Sequence, residues 1–154
     1  MSVPKSVVRF RKDGIEYTSS VDRASYTILE LTRAALRDSG KFITRTANSA
    51  AMKLPGLKKS RRVRGRTSTF LYNVPWAKTG LPHLEVGVKH GTWYGEQQEL
   101  GTSQQPKRQI LRNSVYNNIP QIVEIQSRYL SALEDEAKAL RLISEEEYTG
   151  GGDD

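Results

Sequence analysis

The sequence predicts an α+β fold: a small antiparallel sheet with a long hairpin packed against two helices. Three observations predict it. A single apolar stripe of helical period runs from Val21 to Ala51. Two stretches of period-two alternation, Thr67–Asn73 and His83–Lys89, flank a connector rich in Pro and Gly. A second helical stripe closes the chain from Ile119 to about Ile143. With 154 residues, one domain with a modest core is the natural expectation, spanning 1–143 and followed by a flexible acidic tail at 144–154.

In chain order, Val7–Arg11 and Ile15–Thr18 flank the turn dipeptide Asp13-Gly14 and read as a short hairpin. This piece is either a local edge or an arm reaching a neighbouring subunit. Ser19 or Ser20 caps the long helix, with Asp22 placed favourably against its N-terminal dipole. Val21, Ala24, Ile28, Leu31, Ala35 and Phe42 define its stripe, with Leu29, Leu36, Ile43, Ala47 and Ala50 beside it. Gly40 interrupts that pattern without ending it, at a cost of about 1 kcal/mol against alanine.

From Lys53 to Arg66 the material changes. Seven of these fourteen residues are basic (Lys53, Lys58, Lys59, Arg61, Arg62, Arg64 and Arg66), and Pro55, Gly56 and Gly65 break regular structure. The stretch is either a solvated loop or a set of sequence-blind phosphate contacts. With no aromatic interleaved, it lacks the stacking platforms of a single-strand binder.

The next strand pair carries β-branched and aromatic residues at Thr67, Thr69, Phe70 and Tyr72, then Leu84, Val86 and Val88 alternating with Glu85, Gly87 and Lys89. Its connector, Pro75 to Pro82, is too long for a tight turn. Trp76 on it is either tucked against the sheet or an anchor in a partner's pocket. Near the C-terminus Asn117-Asn118 interrupts the helical spacing and Pro120 suits the first turn of the segment that follows.

Charge is divided along the chain. Residues 121–154 hold nine acids against three bases, which leaves 21 bases and eight acids, a net +13, in the first 120. Such a split suits nucleic acid near the basic part, head-to-tail electrostatics between subunits, or both. The absence of cysteine removes disulfides and thiolate catalysis and is compatible with a reducing cytoplasm. No signal peptide and no membrane span are expected. His83 and His90 stand seven apart without a pairing that suits a metal, and Glu96 and Glu99, three apart, have no nucleophile or acid–base partner nearby. No cofactor is implied, and the chain reads as a non-enzyme.

The most specific stretch runs from Trp93 to Arg112. Tyr94 leads, through polar residues, into Glu99-Leu100-Gly101-Thr102-Ser103, and Pro106 precedes Ile110-Leu111-Arg112 at the mouth of a helix. Gly101 suits a positive φ, and the Thr102 and Ser103 hydroxyls suit the freed N–H groups of such a turn. Pro106 fits the first turn of a helix, and Glu96 and Glu99 share a face if Trp93–Leu100 is helical.

This pattern resembles the small neck (head–tail connector or tail-completion) proteins of long-tailed bacteriophages. Tyr94, Glu99, Gly101, Thr102, Ser103, Pro106, Leu111 and Arg112 match, and Leu100 and Ile110 keep the apolar character. Gln109 and Asn113 stand where the family pattern has prolines, which loosens the expected entry into the last helix. The resemblance implies a structural virion protein at the neck or tail end, assembled in the host cytoplasm. Its partners would be copies of itself in a six- or twelvefold ring, the head-completion or portal-side and tail-terminator or tail-tube proteins, and packaged double-stranded DNA. Beside that reading, Lys58, Lys59, Arg61, Arg62, Arg64 and Arg66 are candidates either for contact with DNA in the channel or for the acidic Glu145-Glu146-Glu147 tail of a neighbouring subunit, and Trp76 is a candidate partner anchor. A tail-terminator ring is the nearest alternative, and a non-specific nucleic-acid-binding protein is the alternative from another class.

Overall fold

A computed structural model of the chain describes residues 8–53, 70–75, 81–90, 93–104 and 106–150. Its elements are β1 (Val8–Lys12), β2 (Ile15–Ser19), α1 (Val21–Met52), β3 (Phe70–Asn73), β4 (Glu85–Val88), α2 (Trp93–Leu100), α3 (Ile110–Tyr116), α4 (Ile119–Leu130) and α5 (Glu136–Gly150). The architecture is α+β, with long N-terminal and C-terminal helices and two separate two-stranded antiparallel sheets. The chain divides into two compact units, one of residues 1–35 with 127–154 and one of residues 36–126.

In the first unit, β1 and β2 pair in register from Val8↔Ser19 to Lys12↔Ile15, which leaves Asp13 and Gly14 as a two-residue loop. Both have positive φ, 53° and 81°. That combination matches the right-handed twist of the strands it joins, and Asp-Gly is one of the dipeptides that adopt it readily. The start of α1 follows at once. Val21 N–H donates to Ser19 Oγ at 3.4 Å, and Ala24 N–H closes the first turn on the Ser20 carbonyl at 3.0 Å.

Leu31, Ala34 and Ala35 of α1 are buried, as are Tyr129, Ala132, Ala139 and Ile143 near the C-terminus. The C-terminal helical stripe is not one helix. It stops after Leu130 and begins again at Glu136, because Asp135 takes over as a cap. Its Oδ1 accepts from Ala137 N–H at 3.0 Å and Lys138 N–H at 3.3 Å, while Ser131 Oγ donates back to the Arg128 carbonyl at 2.9 Å. The helix then runs to Gly150, through backbone that composition alone reads as tail.

The second unit is built around a close contact between a helix and a hairpin. β3 and β4 pair with Phe70 opposite Val88 and Tyr72 opposite Val86. Exposure alternates strictly along Glu85–Val88, so Val86 and Val88 share the sheltered face with Phe70 and Tyr72. Phe70 is 1% exposed and joins Ala47, Ala51 and Ile110 in one buried cluster, with Val88 and Leu111 against it. Asn48 ties helix to strand. Its Nδ2 donates to the Phe70 carbonyl at 3.2 Å and its Oδ1 accepts from Phe70 N–H at 3.1 Å, so one side chain satisfies both backbone groups.

Gly40 explains how the hairpin comes so close. A Cβ there would lie 2.6 Å from Tyr72 Cδ2 and 2.9 Å from Leu84 Cδ1, inside any van der Waals contact. The helical penalty of about 1 kcal/mol for glycine is therefore accepted in exchange for close packing, which overfilling would cost about 1–3 kcal/mol.

Two outcomes follow from this packing. Gly40→Ala lowers stability by up to about 2 kcal/mol, the overpacking cost of about 1–3 less the gain of about 1 in helix propensity. Urea unfolding of the full chain measures it, and a stabilised variant would contradict the contact. Asn48→Ala removes both bonds to Phe70 and lowers stability in the same measurement by about 1–3 kcal/mol, since it leaves polar backbone groups without their partner.

Candidate functional site

The Trp93–Arg112 stretch folds into a clasp in which two helices are held by one carboxylate. α2 carries Glu96 and Glu99 through its eight residues. The two acids differ in setting: Glu96 is exposed, while Glu99 is half-buried and turned toward α3. Glu99 Oε2 accepts from Leu111 N–H at 2.9 Å, and Oε1 accepts from Arg112 N–H at 3.0 Å. These are donors of the first turn of α3, which has no partner of its own for them. A carboxylate from another helix thus takes the place of a local cap and also meets the positive end of the helix dipole. The N-cap residue itself, Gln109, makes no side-chain capping bond.

The chain between the two helices is shaped by left-handed backbone at both ends. Gly101 has φ +79°, and a Cβ there would sit 2.9 Å from the Lys107 backbone nitrogen. Glycine is needed for conformation and for space alike. Gly101 N–H donates to the Gln97 carbonyl at 2.8 Å, and Arg108 N–H donates to the Gln98 carbonyl at 3.0 Å. The returning strand of the loop is therefore pinned to the end of α2. Thr102 turns its hydroxyl as the sequence suggests, with Oγ1 accepting from Gln104 N–H at 3.3 Å, and Ser103 is exposed in the same turn.

Two expectations change here. Pro106 does not open the helix: α3 begins at Ile110, and Pro106 lies exposed in irregular chain before it. Glu99 selects the Leu111 and Arg112 donors and so sets where the first turn starts. The entry is also built differently from the family pattern. Gln109 has φ 51° and ψ 43°, a left-handed conformation that a proline, fixed near −65°, cannot adopt. A non-glycine residue held there carries about 1–2 kcal/mol of strain.

Of the remaining predicted residues, Leu111 packs against the buried cluster and Leu100 is 63% exposed. Arg112 is exposed, with its guanidinium 5.3 Å from the Tyr116 ring centroid one helical turn on. Tyr94 lies on the α2 backbone, and its side chain is outside the described residues, as are Lys58, Lys59, Arg61, Arg62, Arg64, Arg66 and Trp76.

Three residues that matter to this region escape a reading by pattern: Gly40, Asn48 and Gln109. Asn48 leaves one trace, a lone amide between Ala47 and Ala51 on a helix flank that is otherwise apolar or small. Elsewhere, His83 Nε2 lies 3.2 Å from Glu85 Oε1 at the exposed edge of β4. Among the described residues no three His, Asp or Glu side chains converge, and no helix is long and apolar enough to cross a membrane.

The hydrogen bonds set out above all end on backbone, which makes the region a joint between α2 and α3. No protein-family model matches the chain, and no significant match exists among curated proteins or solved structures.

The clasp makes its own forecast. Glu99→Ala speeds hydrogen exchange at the Leu111 and Arg112 amides and costs about 1–3 kcal/mol of stability, whereas Glu99→Gln keeps one acceptor and loses less. Unchanged protection at both amides in Glu99→Ala would show that the carboxylate does not cap α3. At the strained cap, Gln109→Gly raises stability by about 1 kcal/mol in thermal or urea unfolding, and Gln109→Pro lowers it.

Proposed function

We propose that this chain is a structural protein of the neck of a long-tailed bacteriophage, one subunit of a ring that joins the head connector to the tail around the DNA channel. The observation that supports this best is the clasp. Of the residues that carry the resemblance, Glu99, Gly101 and Thr102 fix the path of the chain between α2 and α3, and Leu111 and Arg112 supply the backbone amides that Glu99 holds. Residues kept together for a fold and an assembly surface, rather than for chemistry, suit a connector.

Composition supports the same reading. A mean hydropathy of −0.60 leaves little apolar material for a self-sufficient globule, so a share of the surface is completed by neighbours. Ile15, Val21, Leu81, Leu100, Tyr116, Val123 and Leu130 are each more than half exposed, apolar surface that neighbouring subunits would cover. The basic stretch Lys53–Arg66 would supply weak, exchangeable, salt-sensitive phosphate contacts, which suit DNA that has to slide.

The test is an in vitro joining reaction between filled heads and finished tails from a phage lacking this chain. Adding purified protein restores joined particles, and Gly101→Val protein does not, because a β-branched residue cannot hold the clasp turn. Heads and tails that join equally well without the protein would overturn the proposal. Tight binding of duplex DNA by the isolated monomer, with no joining activity, would place the chain among non-specific nucleic-acid-binding proteins instead.

A further inference from the structure

The two units differ in charge. Residues 36–126 hold 15 bases and five acids, a net +10, whereas residues 1–35 with 127–154 hold nine bases and 12 acids, a net −3. Within the basic unit, the 46 residues from Ser39 to Leu84 contain ten bases and no acid. That acid-free run is wider than the Lys53–Arg66 stretch, because it takes in the second half of α1.

α1 displays its share of the charge on one side. The side that carries Gly40, Ala47 and Ala51 is occupied by the hairpin and the buried cluster. Lys41, Arg45, Ser49 and Lys53 recur every four residues on another side, since positions four apart are neighbours on a helix. Lys53 still belongs to that row, because its N–H closes the last turn on the Ala50 carbonyl at 3.1 Å. Arg45, Ser49 and Lys53 are exposed. Lys41, half-buried at the head of the row, has its Nζ 3.6 Å from Asp38 Oδ1.

Three physical limits select the ligand. A helix that lies in a membrane interface needs a free apolar side, and here that side is packed inside the unit. No aromatic stands in the row, so it offers no platform on which unpaired bases stack. An acidic C-terminal stretch from another copy, residues 145–154, would bring five acids to a run of ten bases. A duplex is the denser match. The row from Lys41 to Lys53 covers about 18 Å of helix axis, a length over which double-stranded DNA presents about ten phosphates.

We propose that the Lys41–Arg45–Ser49–Lys53 side of α1 is a phosphate-contact surface for double-stranded DNA, blind to sequence. Duplex DNA is the polyanion that the neck reading supplies, so the choice of duplex rests on that reading. The surface itself rests on the charge and its placement.

Fluorescence anisotropy of the full-length chain on a random-sequence DNA duplex, across a salt series, tests it. The wild type binds in the non-specific range, with Kd of about 10⁻⁴–10⁻⁶ M. Arg45→Gln with Lys53→Gln weakens binding by about tenfold or more at low salt, and flattens the slope of log K against log salt by about two. Ser49→Arg places a further base between them, and so tightens binding and steepens the slope by about one. That gain cannot come from misfolding. Arg9→Gln with Arg11→Gln removes the same charge from the other unit and leaves the slope as it was.

A wild-type slope in the Arg45 and Lys53 variant would overturn the inference. So would an equal loss in the Arg9 and Arg11 variant, which would mark a response to net charge alone. If the α1 variant keeps its DNA affinity but loses self-association in sedimentation, the surface meets the acidic stretch of another copy and the inference fails. The joining reaction separates this claim from the neck reading. DNA affinity that depends on the α1 row, in a chain that joins no heads to tails, would keep the surface and remove the neck. Normal joining by a chain whose DNA affinity ignores the row would do the opposite.

Discussion

The second unit depends on a contact that leaves no room for a methyl group. Tyr72 and Leu84 approach the backbone of α1 at Gly40 so closely that any Cβ would overlap them. With that approach in place, Phe70 reaches the cluster of Ala47, Ala51 and Ile110, and Asn48 spans both backbone groups of Phe70. Small residues on the helix and large ones on the hairpin are two halves of one packing solution. The second half of α1 carries Gly40, Ala47 and Ala51, and these small residues set how near the sheet can come.

From that cluster the order passes to the clasp. Ile110 is the first residue of α3 and is buried against Phe70, so the start of α3 is fixed from within. Glu99 fixes it from outside through the next two amides. Gln109, caught between these restraints, takes up the left-handed strain that the geometry demands. A strained residue persists only where its surroundings determine it, and here they do so from both sides. The start of α3 is accordingly held from two sides, by the buried cluster and by the Glu99 carboxylate.

Much of this was legible before any coordinates. The Asp13-Gly14 hairpin, the extent of α1, the alternation of Leu84, Val86 and Val88, and the turn at Gly101 each follow from one local rule, and local rules can be read from one sequence. What stayed hidden involves two distant segments. Gly40 looks like a blemish until Tyr72 is placed beside it. Glu99 looks like half of an acidic pair until Leu111 is brought to its carboxylate. The break between α4 and α5 lay within reach, since Asp135 is a good cap, but the continuing apolar spacing on either side masked it. The C-terminal acids were misleading in the same manner: composition describes a tail, while the backbone through Gly150 is helical.

The joint between α2 and α3 and the division of the chain between basic and acidic parts are the features on which the proposed connector role rests. That role, which supposes that a phage encodes the chain, is most directly tested by cryo-electron microscopy of intact particles of that phage. The account predicts a closed ring of identical copies at the head–tail junction, encircling the DNA, with density for Glu99 bridging to the start of α3 inside each subunit. Particles whose neck contains no copy of this chain would contradict it.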